Sequence, residues 1–340
     1  MLTQWGTSLT MQLAAPLLTG LHTLAARPEV AATLAARLAT ASTTPSSTPL
    51  TRDRLDALTL ACLALVAALY TYGTVCLWRR GGVPGGALFG RVLTFAGGLA
   101  VLAIALLPPV DRLTTQLFAM QIGQYLLLTT AIPPLLILGS PGAALIAALP
   151  AARAAALRVW WAERPPARRI WEFATQPPVV AALDIALLLA WYQPRPFAAA
   201  LASGALHLGE QLSILLAAIL FWWTVRHPDA RPTPAHGRVL ISFVAASLAS
   251  AAFGLALFLA RTPWYGVYGD RAAAWSLTAL GDQQVGGIML GVAPELIDLI
   301  AALFLIWGWI QAQERRATAT ARAERLARRA ARTTTGRDEE

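Results

Sequence analysis

This sequence predicts an all-α, polytopic integral membrane protein of about seven transmembrane helices, N-terminus out and C-terminus in. Three observations carry that expectation. Hydrophobic residues fill 56% of the 340 positions and charged ones only 13%, with mean hydropathy +0.55; a soluble domain carries about 25% charge. Apolar runs close to the ~20 residues that cross a hydrocarbon core recur along the chain. The 27 basic residues, all arginine, collect in alternate connections between those runs. A net charge of +9 invites a nucleic-acid partner. The arginines do not form one basic face, however, so membrane topology accounts for them and no nucleic acid is expected.

Residues 1–54 read as an extramembrane or interfacial extension. The mildly apolar stretch Leu9–Ala26 is interrupted by Gln12, Thr19, Gly20 and His22, and lacks the basic region that precedes a signal sequence. Ser/Thr/Pro-rich residues 40–49 read as a flexible linker, and an extra membrane element within 1–54 is the alternative. The membrane domain is expected over 55–312, with spans at 56–78, 92–109, 115–138, 178–194, 198–225, 238–260 and 283–311. The stretch after Gly139-Ser140-Pro141 is too broken by Pro150 and Arg153 to span; with Trp160-Trp161 it suits a headgroup-level helix. Residues 313–340 form a basic tail whose first part continues the last helix. Nineteen arginines follow spans one, three, five and seven, among them Arg79, Arg80, Arg164, Arg226, Arg315 and Arg316. The other loops hold Arg112, Arg195, Arg261 and Arg271 alone, which puts the tail in the cytoplasm and the chain in a bacterial inner membrane. Cys62 and Cys76 are 14 residues apart in one span, about 21 Å along a helix, and belong to no CxxC motif.

Polar residues inside spans are costly unless paired, so their depth is informative. Gln121, Gln124 and Tyr125 occupy the first turns of span three, and His207, Glu210 and Gln211 repeat that i, i+3, i+4 spacing in span five. Tyr192 closes span four, Asp282 and Gln283 open span seven, and Met289 lies two turns further in. On the arginine topology, four helices therefore direct these groups to the outer leaflet. The polar cluster reads either as a polar or metal site or as hydrogen-bonding glue between helices, with Asp282 expected in water at its mouth. Glu295 and Asp298 in span seven and Asp184 in span four lie deeper, as a proton or cation site or as protonated structural acids.

Met120-Gln121-Ile122-Gly123-Gln124-Tyr125, running on to Pro133-Pro134-Leu135-Leu136-Ile137-Leu138-Gly139-Ser140-Pro141, resembles the CtaG family of caa-type cytochrome c oxidase assembly factors. The resemblance extends over most of 55–312 through Trp191-Tyr192-Gln193-Pro194, His207-Leu208-Gly209-Glu210-Gln211 and Asp282-Gln283-Gln284-Val285-Gly286-Gly287-Ile288-Met289. It implies a non-enzymatic role in oxidase biogenesis, with haem-copper oxidase subunits and membrane lipid as partners. It also implies copper, held at the outer leaflet by histidine and methionine, a donor set suited to Cu(I). At the family's histidine positions this chain has Gln121, Tyr125, Tyr192 and Gln211. Only His207 and Met289 remain as soft or imidazole donors, which argues against copper here.

Two other classes compete with assembly. A small-solute or ion transporter would use the outer polar cluster with Glu295 and Asp298, but no internal repeat supports it. A membrane enzyme is disfavoured by the absence of an HExxH motif and of any Ser/His/Asp arrangement.

Overall fold

The computed structural model describes residues 49–81, 85–227 and 236–335. The extension read at 1–54 therefore lies outside the described residues except for its last six, which already belong to the first helix, α1, Pro49–Arg79. The described residues are helical, without strands. After α1 come α2, Gly85–Leu106, and the short α3, Val110–Thr114. The third span, Phe118–Leu138, is built from α4, Phe118–Leu126, a π-helical turn, Leu127–Ala131, and α5, Ile132–Leu138. Three short helices follow: α6, Pro141–Ala148; α7, Ala151–Ala162; and α8, Pro165–Ala174. Next are α9, Pro177–Trp191; α10, Pro194–Ala202; α11, Gly204–Arg226; α12, His236–Leu259; and α13, Ala279–Thr335.

Six helices are long and apolar enough to cross a membrane, and a seventh crossing exists if α8 and α9, bent by 62°, count as one. Expected boundaries shift, the second span beginning at Gly85 and not 92. The fifth span begins at Gly204, not 198, because Ser203 takes an extended backbone and its hydroxyl caps the Leu206 N–H at 3.4 Å. The third begins at Phe118 because Asp282 of α13 caps it. The broken stretch after Ser140 does not span: α6 folds back against α1, and Trp160 and Trp161 are exposed.

Span three is the hub. Of its most apolar stretch 56% is buried, against 17% for the first and second spans, and it packs against α2, α11 and α13. Its π turn has a local cause. Pro133 and Pro134 have no N–H to return to the preceding turn. The Thr129 carbonyl accepts instead from the Trp222 indole of α11 at 2.8 Å. Two glycine contacts set the closest helix approaches. A Cβ on Gly73 of α1 would lie 2.1 Å from the Ala144 carbonyl oxygen of α6. Gly254 of α12 and Gly287 of α13 face each other, a Cβ on either falling 2.6 Å from the other's carbonyl oxygen.

Candidate functional site

One end of the bundle is closed by the α2–α4 connection, the start of α11 and the segment 260–278. Aromatic packing fixes these parts. Phe118 stacks on Tyr265 with ring centroids 4.4 Å apart, and Phe197 lies 4.5 Å from the same ring. The hydroxyls of this layer hold backbone: Tyr265 donates to the Tyr192 carbonyl at 2.8 Å and Tyr268 to the Thr114 carbonyl at 2.9 Å. Burial pushes both phenols above the ordinary tyrosine range, so they remain donors at physiological pH.

Beneath the aromatic layer lies a buried polar network. His207 Nδ1 is 3.1 Å from Glu210 Oε2, and His207 Nε2 is 3.1 Å from Asp111 Oδ1. Each ring nitrogen faces a carboxylate, and Nε2 also meets the Gln211 amide nitrogen at 2.9 Å. Gln121 Nε2 donates to Glu210 Oε1 at 3.1 Å, and Gln211 Nε2 donates to Asp111 Oδ1 at 2.9 Å. All five side chains are buried. The i, i+3, i+4 spacing of His207, Glu210 and Gln211 places them on one helical face, where they meet α3 and α4 together.

The remaining residues flagged in the sequence divide into separate tasks. Gln124 turns away from the network and donates to the Ala105 carbonyl of α2 at 2.7 Å. Tyr125 and Tyr192 meet edge to face, centroids 5.6 Å apart, and the Tyr192 hydroxyl and Gln121 Oε1 are buried without a hydrogen-bond partner among the described residues. Gln283 accepts from the Trp264 N–H at 2.6 Å and donates to the Leu257 carbonyl at 3.2 Å, tying α13 to the end segment. Met289 packs beside Gly123, whose Cβ position lies 3.5 Å from the Met289 methyl.

Asp282 corrects the expectation that it would sit in water at a mouth. It is 1% exposed, and its two oxygens accept the Phe118 and Ala119 N–H groups at 2.6 and 3.0 Å. A helix start leaves N–H groups without internal partners and carries partial positive charge, so a carboxylate supplied by another helix is satisfied there without solvent.

Asp111 is the network member that the sequence reading passed over. It lies between spans two and three, after Pro108-Pro109-Val110 and directly before Arg112. Beside an arginine in a connection, it reads as a solvated loop acid and gives no local sign of a buried partner. The deeper acids sit apart from this network: Asp298 accepts a hydrogen bond from Ser247 of α12, and Asp184 and Asp298 line one cavity. Among the described residues, no three His, Cys, Asp or Glu side chains are grouped to hold a metal ion.

Comparison with known proteins gives these features a lineage. The chain is 26% identical over 281 residues to the uncharacterized proteins Mb0105 of Mycobacterium bovis and MT0111 of Mycobacterium tuberculosis. That alignment covers 78% of this chain and 40% of each relative, so the chain spans about two fifths of their length. No solved structure matches it significantly. The family described as cytochrome c oxidase caa3 assembly factor matches residues 68–312, from within α1 to the apolar part of α13, the buried network included. The chain is a multi-pass membrane protein of the caa3 cytochrome c oxidase assembly factor family.

Proposed function

We propose that this protein supports assembly of a haem-copper oxidase in the bacterial inner membrane as a non-enzymatic scaffold for oxidase subunits, and that it does not hand over copper. The observation that carries the reading is the geometry of His207. Both ring nitrogens are already engaged within the protein: Nδ1 lies 3.1 Å from Glu210 Oε2, and Nε2 lies 3.1 Å from Asp111 Oδ1 and 2.9 Å from Gln211 Nε2. Met289, the other soft donor, packs beside Gly123 of α4. Gln121 and Gln211 direct their amides to the network carboxylates, and Tyr125 and Tyr192 pack into the aromatic layer. Oxygen and amide donors suit Cu(I) poorly, so the residues present do not fit copper. The arginine distribution favours an outward-facing network end and a cytoplasmic C-terminus.

The test is a deletion strain complemented with the wild-type gene or with His207→Gln, scored by haem spectra of the assembled oxidase and by its copper content. Deletion is expected to lower assembled oxidase, and His207→Gln to restore it in proportion to the protein accumulated. Purified protein is expected not to retain stoichiometric Cu(I). Tight Cu(I) binding lost in His207→Ala or Met289→Ala would overturn the scaffold reading.

A further inference from the structure

The polar network does not account for Asp184 and Asp298, which border a separate cavity of about 50 Å³ where α9, α11, α12, α13 and the π turn of span three converge. We propose that this cavity is a binding site for a small hard monovalent cation of sodium's class. The inference stands apart from the assembly reading: of the residues argued there, Tyr125 alone borders this cavity.

Four observations lead to it. The first is the wall, which holds Asp184, Asp298, Ser247, Ser250, Thr129 and Thr130, and no arginine or histidine. The Thr129 and Thr130 hydroxyls spend their hydrogens on the Tyr125 and Leu126 carbonyls at 2.9 and 2.6 Å, so their oxygens keep lone pairs to offer. Oxygen-only donors of this kind favour sodium- or calcium-type ions over copper or zinc.

The second is unbalanced charge. Asp184 is half-buried, lines the cavity, and makes no hydrogen bond or ion pair among the described residues. Asp298 receives one hydrogen bond, from Ser247. An ionised carboxylate enclosed without countercharge costs several kcal/mol. A cation between Asp184 and the hydroxyls removes that cost for one acid, and the Ser247 hydroxyl donates a hydrogen bond to the other.

The third is backbone irregularity at this level. The π turn Leu127–Ala131 and Pro294 of α13 both border the cavity. Non-helical backbone at membrane depth is tolerated where it lines a polar space. The fourth is size: about 50 Å³ accommodates a dehydrated monovalent ion with a water or two. Calcium commonly takes six to eight oxygens and magnesium sheds its own water reluctantly, so neither suits so small and sparse a shell.

The experiment is thermal unfolding of the full-length protein in detergent at pH 8, with sodium chloride exchanged for choline chloride at constant ionic strength. Sodium is expected to raise Tm saturably by a few degrees. Asp184→Asn should abolish that response, Ser250→Ala should raise the half-saturating sodium concentration several-fold, and Leu183→Ala, an exposed neighbour, should change neither. If Asp184→Asn does not fold, Ser250→Ala decides, and an unchanged midpoint overturns the site. A Tm indifferent to sodium, a response kept in Asp184→Asn, or stability that follows calcium or pH alone would overturn it equally.

Discussion

His207 sits between Asp111 and Glu210, all three residues 5% exposed or less, and is solvated by these carboxylates and by Gln211. Removing the imidazole takes a hydrogen-bond partner from each carboxylate and leaves Gln121 and Gln211 as donors to them. Breaking a buried charged pair by deleting one partner costs about 3–5 kcal/mol. His207→Ala should lose about that much in equilibrium unfolding of the detergent-solubilised protein. Adding Asp111→Asn and Glu210→Gln to the same chain should recover part of the loss. A single-variant loss under about 1 kcal/mol would mean that the network is solvated after all. Asp282 makes a parallel case. Its two charge-assisted bonds to Phe118 and Ala119 are worth about 1.5–3 kcal/mol each. Asp282→Ala should therefore cost about 3 kcal/mol or more, and Asp282→Asn, which keeps one acceptor oxygen, about half of that. Equal losses in the two variants would contradict the capping role. The sequence marked His207, Glu210, Gln211 and Gln121 through their helical spacing. It did not mark Asp111 as a partner, because the two residues are 96 positions apart and nothing local ties them. The burial of Asp282 escaped notice for the same reason: the N–H groups that satisfy it belong to another helix.

At the scale of elements, hydropathy located the long spans because a run of about 20 apolar residues has few other uses. It did not find the break at Ser203, since small residues on either side keep the averaged hydropathy high across it. Nor did it find the π turn. Pro133-Pro134 was visible, but the Trp222 indole that satisfies the Thr129 carbonyl comes from a helix 93 residues away. Glycine contacts are equally silent in sequence, and they give a sharp test. Gly73→Ala places a methyl 2.1 Å from the Ala144 carbonyl oxygen, so α1 and α6 must separate, at about 1–3 kcal/mol for overpacking. Gly90→Ala, with nothing within 4 Å of the new Cβ, should be neutral or stabilise the helix by about 0.5–1 kcal/mol. Both are read by the same unfolding measurement. Equal effects at the two positions would show that α1 and α6 do not meet as described.

For the whole molecule, the number of crossings decides on which sides the ends of the chain lie. Six crossings would return the chain to its starting side, whereas seven would leave its ends opposed. The weak member is the fourth, because α9 has 15 residues and rises only about 22 Å, short of the ~30 Å hydrocarbon core. Its anchors nevertheless lie at opposite ends of the bundle. The Thr175 carbonyl before α9 accepts from Thr224, near the Arg226 end of α11. The Tyr192 carbonyl after it accepts from Tyr265, above the His207 end. The bent-on α8 supplies the missing length, with Arg168 and Arg169 at the end that also carries Arg226. Arginine is costly to carry across and is held back on the cytoplasmic side. Reporter fusions after Arg169 and after Arg316 should therefore read as cytoplasmic, and fusions after Arg195 or within Trp264–Asp270 as external. The pair flanking α9 is the discriminating one. If the reporters after Arg169 and Arg195 give the same side, α9 does not cross, the chain has six spans, and the network end no longer faces outward for both halves of the bundle.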